Sequence, residues 1–154
     1  DVSDVSVEET EPEEVWTQYK SEGFGFSVNF KEDPAEKEGK TKKGYNTLKV
    51  TSAADNKAFV LSVIELSSKT KASKYELMAQ RLGEEYIKKH NPPSSTKGEW
   101  TLNGQKGTEY KYTKGKFYYI YRAICLKGKS YNLIYIGTES DPDQNEFLGS
   151  FKVN

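Results

Sequence analysis

The sequence has little of what catalytic and metal centres are made from: one cysteine and one histidine in 154 residues. With Cys125 alone, no internal disulfide framework can form. With His90 as the sole imidazole, the multi-ligand zinc and copper sites built from His/Cys sets are excluded. No apolar run approaches the ~18 to 20 residues of a bilayer-crossing helix, and 30% of the side chains are charged. Neither a G-x-S-x-G nucleophile elbow nor a G-x-x-x-x-G-K-[ST] phosphate loop occurs. Gly23 and Gly25 give only G-x-G in a strand setting, which fails the context of a dinucleotide site. Repeats of solenoid or propeller period are also missing. What remains is enough chain for a single domain that hides roughly two thirds of its unfolded surface without staples.

The charge balance is zero overall but uneven along the chain. Residues 1–14 (DVSDVSVEETEPEE) hold seven acids and no base, leaving residues 15–154 with 23 basic against 16 acidic side chains, a net +7. Such a stretch lacks core-forming aromatics and is expected to be a disordered acidic leader, with residues 15–154 as one domain. The first residue is not Met, which favours a mature exported protein whose leader joins the domain to a membrane anchor.

From Val15 onward the pattern is one of strands. Phe24, Phe26, Val28 and Phe30 alternate with small or polar residues, so four apolar groups share one face. Residues 31–44 read as a charged connection containing Pro34 and Gly39. Residues 45–52 and 58–66 then form two strands around an Asp55-Asn56 turn. Four closely spaced strands, near 96–102, 106–113, 116–126 and 130–137, are separated by Asn103-Gly104, Lys114-Gly115 and Lys127-Gly128, the signature of an antiparallel meander. In 116–126 both alternating sets are mostly apolar: Phe117, Tyr119, Tyr121, Ala123 and Cys125, and Tyr118, Ile120, Ile124 and Leu126 with Arg122. A strand of that kind is covered on both faces.

Between the two strand groups, Tyr75, Met78, Ala79, Leu82 and Tyr86 recur at helical spacing and predict a helix over 73–89. Ser73 and Glu76 have the spacing of a capping box, and Pro92-Pro93 forbid continuation. A short second helix is expected over 141–148, followed by a terminal strand at 151–153.

The remaining chemical candidates have bland readings. His90 sits at a helix end beside lysines, and Cys125 lies in the most apolar strand, where cysteine acts as a small hydrophobe. The carboxylate pairs Glu84/Glu85 and Asp141/Asp143 fall on helix or cap positions expected to be solvated. Asp141-x-Asp143-x-Asn145 opens like a calcium loop, but Glu146 stands where glycine is needed and Lys152 where a glutamate is needed. Lys114 to Tyr121 (KGKFYYIY) departs from the RNA-recognition signature at Lys116 and Phe117, so no nucleic-acid role is expected. Eleven tyrosines are the most distinctive feature. They suit strand packing, and exposed ones also suit a partner-binding platform, for which Tyr110, Tyr112, Tyr118 and Tyr131 are the candidates.

Several segments together resemble the PsbP-like superfamily. They are Gly25-Phe26-Ser27-Val28-Asn29-Phe30 with Pro34, Leu102-Asn103-Gly104-Gln105-Lys106-Gly107 leading into Glu109-Tyr110, Arg122, Tyr131-Asn132-Leu133, and Phe147 with Phe151-Lys152-Val153. Lys31 departs from the pattern, since many relatives have proline there. The superfamily includes extrinsic photosystem II subunits, bacterial lipoproteins and a Ran-binding import protein. The resemblance implies an α+β fold with a central antiparallel β-sheet and helices packed on its faces, an α/β/α sandwich. The acidic leader differs from the basic docking extension of the plant proteins.

These observations lead to an expectation of a non-catalytic protein-binding or accessory domain, extracytoplasmic with an upstream lipid anchor as one way of holding it there and a cytoplasmic location as the alternative, with no cofactor, metal or nucleic acid. The alternative is a small-molecule carrier or enzyme with a tyrosine-lined pocket between helix and curved sheet.

Overall fold

The computed structural model describes residues 16–154; the acidic stretch 1–14, expected to be a leader, lies outside the described residues. The strands are β1 (Trp16–Ser21), β2 (Phe26–Lys31), β3 (Ala35–Lys40), β4 (Asn46–Ala54), β5 (Lys57–Glu65), β6 (Thr96–Leu102), β7 (Gln105–Lys114), β8 (Phe117–Leu126), β9 (Lys129–Gly137) and β10 (Lys152–Val153). A 3-10 turn (Ala72–Lys74) leads into helix α1 (Tyr75–His90), and helix α2 (Asp143–Ser150) precedes β10. The strands form a seven-stranded sheet in the order β3-β4-β5-β9-β8-β7-β6 and a three-stranded sheet β1-β2-β10. All pairings are antiparallel.

The layers follow from which residues the pleat sends to each side. Phe59, Leu61 and Val63 of β5, Ile120, Ile124 and Leu126 of β8, and Tyr131, Leu133 and Tyr135 of β9 form one face of the large sheet. They pack on Phe26, Val28 and Phe30 of β2 and on Phe147, Leu148, Phe151 and Val153. The inner face is thus covered by the small sheet together with α2. On the outer face Tyr110, Tyr121 and Ala123 meet Ala79 of α1. The result is the expected α+β sandwich, with a second sheet supplying much of one outer layer.

Tight turns set the registers. Asp55-Asn56, Asn103-Gly104 and Lys127-Gly128 each take two consecutive positive φ values, the type I′ geometry that matches strand twist. The β7–β8 turn falls on Gly115-Lys116, one residue later than expected, with Gly115 at φ 62°.

Two local expectations are corrected. The charged connection 31–44 contains a strand, β3, paired with β4 along its whole length. All six of its residues are exposed, so it carries no alternation to reveal it, and its charges protect the sheet edge from further pairing. The Ser73 capping box is not formed: α1 begins at Tyr75, and no side chain caps either the 3-10 turn or the helix. The helix is instead positioned by tertiary contacts. The Tyr75 hydroxyl accepts the Gly128 N–H at 2.8 Å, and the buried stripe runs through Tyr75, Ala79 and Gly83. Gly83 is needed because a Cβ there would lie 2.7 Å from Cε2 of Tyr110.

Two substitutions test this account of α1. Ser73→Ala should leave the denaturant midpoint unchanged to within about 0.5 kcal/mol, as for a surface site that caps nothing. Gly83→Ala should gain about 1 kcal/mol of helix propensity and lose ~1 to 3 kcal/mol to overpacking, so its midpoint should fall. A rise would show that α1 can lift off Tyr110 at no cost.

Candidate binding surface

The β7–β8 hairpin and α1 together build an aromatic stack. Tyr112 and Tyr119 are directly opposite in the ladder, and their rings stack at 4.8 Å and 9°. Two residues further along β8, Tyr121 receives Tyr86 of α1 face to face at 3.9 Å and 11°. The Tyr86 and Tyr112 hydroxyls share a 2.7 Å hydrogen bond, and Tyr121 donates to Asn132 Oδ1 at 2.5 Å. His90 lies on Tyr86 at 4.2 Å, and the Lys114 ammonium donates to the His90 carbonyl. His90 is therefore half-buried against a ring. Burial, then the nearby Lys114 and Lys89 charges, pulls its pKa below the ordinary value and keeps it neutral. Burial raises the phenol pKa values of Tyr86, Tyr112 and Tyr121, which keeps these hydroxyls protonated and so unavailable as general bases. On the same face, burial pushes the Cys125 thiol up to about 11, far from a reactive thiolate.

The four candidate tyrosines do not share a surface. Tyr110, Tyr112 and Tyr131 are 7%, 4% and 0% exposed. Tyr131 lies on the opposite face of the sheet from the other two and donates to the Phe24 carbonyl at 2.5 Å. Of the four, Tyr118 and Tyr112 line a groove, an open one of about 460 Å³ shared with Ser94, Ser95, Thr96, Lys111 and Glu139. Tyr110, Tyr112 and Tyr131 pack where both faces of the β7–β9 region are covered, and Tyr118 is the most accessible of the four.

A second, partly exposed surface exists elsewhere, and it is mostly apolar. α1 packs on β7 and β8. Beyond them, the outward residues are Asn132, Ile134 and Ile136 of β9, and Ala58, Val60, Ser62 and Ile64 of β5, paired across the ladder. All seven are half-buried, and among the described residues no further helix or strand lies over β5. A water-facing strand normally alternates apolar-in with polar-out; between its charged ends Lys57 and Glu65, β5 is apolar on both sides except at Ser62. The signal was present in the sequence: Ala58, Val60 and Ile64 interleave with Phe59, Leu61 and Val63, the same double pattern that marks β8. Glu84 and Glu85 of α1 are solvated, as expected.

Asp141 and Asp143 are not solvated. They are 9% and 7% exposed and form a charge cluster beneath α2. Asp143 Oδ2 accepts from Lys31 at 2.8 Å and from Lys57 at 2.6 Å. Asp141 Oδ2 accepts from Tyr135 at 2.5 Å and lies 3.1 Å from Lys57 Nζ, while its Oδ1 accepts the Asp143 N–H at 3.1 Å. Among the described residues two lysines match two aspartates, and the cluster ties α2 to β2, β5 and β9. Among the described residues, no group of His, Cys, Asp or Glu is arranged to hold a metal ion. A second open groove, about 500 Å³, is lined by Gly23, Phe24, Glu38, Gly39, Lys40, Asn46, Thr47 and Glu65.

This architecture is the PsbP-like fold. The chain superposes on the solution structure of cyanobacterial PsbP (CyanoP) from Synechocystis sp. PCC 6803 with a TM-score of 0.58, covering 97% of this chain and 98% of that one at 12% identity. A Pseudomonas aeruginosa protein of unknown function aligns over 85% of this chain and 88% of its own at 9% identity, with a TM-score of 0.38. No family model matches the sequence, and no curated protein does. Among the described residues, no helix is long and apolar enough to cross a membrane.

The charge cluster predicts an acid limb of stability. Burial alone would raise the Asp141 pKa, but the hydrogen bonds from Tyr135, the Asp143 N–H and Lys57 outweigh it and hold the carboxyl below its ordinary value. A depressed folded-state pKa contributes stability that is present above the unfolded pKa of about 3.9 and lost as pH falls through the folded one. Asp141→Asn should therefore lower the denaturant midpoint at pH 7 and flatten its decline below about pH 4. An unaltered acid limb would place the responsible carboxylate elsewhere.

Proposed function

We propose that this chain is a non-catalytic accessory domain that binds a protein partner through the uncovered half of its large sheet. The single observation that carries the reading is the outward apolar set of β5 and β9, Ala58, Val60, Ile64, Ile134 and Ile136, left half-exposed beside α1. Contiguous apolar surface of this kind costs solvation in a monomer and marks interaction sites. Support also comes from the fold shared with cyanobacterial PsbP. In this reading the domain works outside the cytoplasm, its acidic N-terminal segment leading to a lipid anchor. That part rests on the sequence resemblance to a superfamily that includes bacterial lipoproteins. The carrier alternative needs an enclosed pocket with convergent polar groups, whereas the two grooves described are open at the surface.

Site-specific photo-crosslinking in the native host tests the surface. A benzophenone amino acid at Val60 should trap a discrete protein adduct, and the same probe at exposed Lys42, in the β3–β4 connection, should not. No adduct at Val60, or equal adducts at both positions, would remove the surface from consideration.

A further inference from the structure

We infer that the uncovered half of the sheet receives one amphipathic α-helix of the partner, laid alongside α1 and carrying acidic residues on the flank away from it. This deepens the proposed binding role and rests on it. Adjacent packed helices lie 8–10 Å apart, and neighbouring strands about 4.8 Å apart. α1 sits over β7 and β8, so the axis of a second helix in the same layer falls about two strands further on, above the β9–β5 pair. That pair carries the apolar outward residues; the next strand, β4, turns polar with Thr47, Lys49 and Thr51. The apolar strip is therefore as wide as one helix. From Ala58 to Ile64 it is about 20 Å long, the length of about 14 helical residues.

The two walls of this slot differ in charge. On the α1 side, Leu82 clusters with Ile134, and Met78, Leu82, Glu85 and Lys89 follow at helical spacing, a wall with one acid and one base. On the other side Lys49 of β4 and Lys37 of β3 are directly opposite in the ladder and both exposed. Residues opposite each other share a face, so Glu36 and Glu38 go to the inner side with their partners Val50 and Leu48. Among the described residues, the outward positions of β3 and β4 are thus basic with no acid beside them, and favour carboxylates along that flank of the guest. A second copy of this chain does not supply such a helix from its described residues, because the apolar faces of α1 and α2 are already buried.

The probe is a stapled helical peptide of about 15 residues with leucines on one face and glutamates along one flank, titrated into methyl-labelled protein. The methyl signals of Val60, Ile64, Ile134 and Ile136 should move first. Replacing the peptide's glutamates by lysines should weaken binding about ten-fold, and the double variant Lys37→Glu, Lys49→Glu should reverse that preference. Both lysines are exposed, and an unchanged spectrum of the free variant confirms that it folds. Equal affinity for both peptides, or shifts confined to other methyls, would overturn the inference. So would a concentration-dependent dimer that buries these methyls. If the cross-link at Val60 forms while the peptides fail, only the acidic helix is lost; if neither is seen, the binding surface is lost as well.

Discussion

The fold depends on the stretch Ile120–Leu126 of β8, which apart from Arg122 is buried on both faces. In β8, Ile120, Ile124 and Leu126 face inward, while Tyr121, Ala123 and Cys125 face outward, all buried. Burying a large apolar side chain is worth about 1.5–3 kcal/mol, so β8 stabilises the fold only if both of its faces are roofed. The small sheet and α2 roof one, and α1 the other. Arg122 is the polar exception on the inner side, and it is satisfied locally by Glu109 at 2.7 Å and by the Trp100 ring at 5.1 Å.

Much of this was legible because it is local. The turns with paired positive φ, the alternation of β2 and the double pattern of β8 are properties of contiguous residues, and they give the meander and its layers. β3 was not legible, since an edge strand exposed at every position has no period to detect. The start of α1 was misread because Gly83 against Tyr110 and Tyr75 against Gly128 fix its placement across the chain, whereas Ser73 offered only a local cap. The candidate site was least legible. Strand propensity marks tyrosines as sheet residues but does not say which stretch of sheet a helix will cover. Three of the four chosen tyrosines fell under cover, while the aliphatic residues of β5 and β9 did not.

Lys31, which stands where the superfamily that the sequence resembles often has proline, acquires a reason in the structure. It is 6% exposed and bonded to Asp143, a residue that local sequence placed on a solvated cap. Proline there would supply no ammonium, so the departure and the buried aspartates form one feature. Ion clusters of this kind add little net stability over an apolar core but are costly to break at one partner. The cluster thus fixes where α2 sits more than how strongly it is held; Phe147 and Leu148 supply its apolar grip.

Helix α1 is fastened at both ends to the sheet beneath it, by the Tyr75 phenol at the β8–β9 turn and by the Lys114 ammonium at the His90 carbonyl. Between them Tyr86 is stacked on Tyr121 and hydrogen-bonded to Tyr112. A helix held in this way acts as a fixed wall rather than a lid, so the cleft beside it keeps its width whether filled or empty. A partner then meets a host backbone that is already ordered, and more of the ordering entropy falls on the partner. How long it stays is set by its own stiffness.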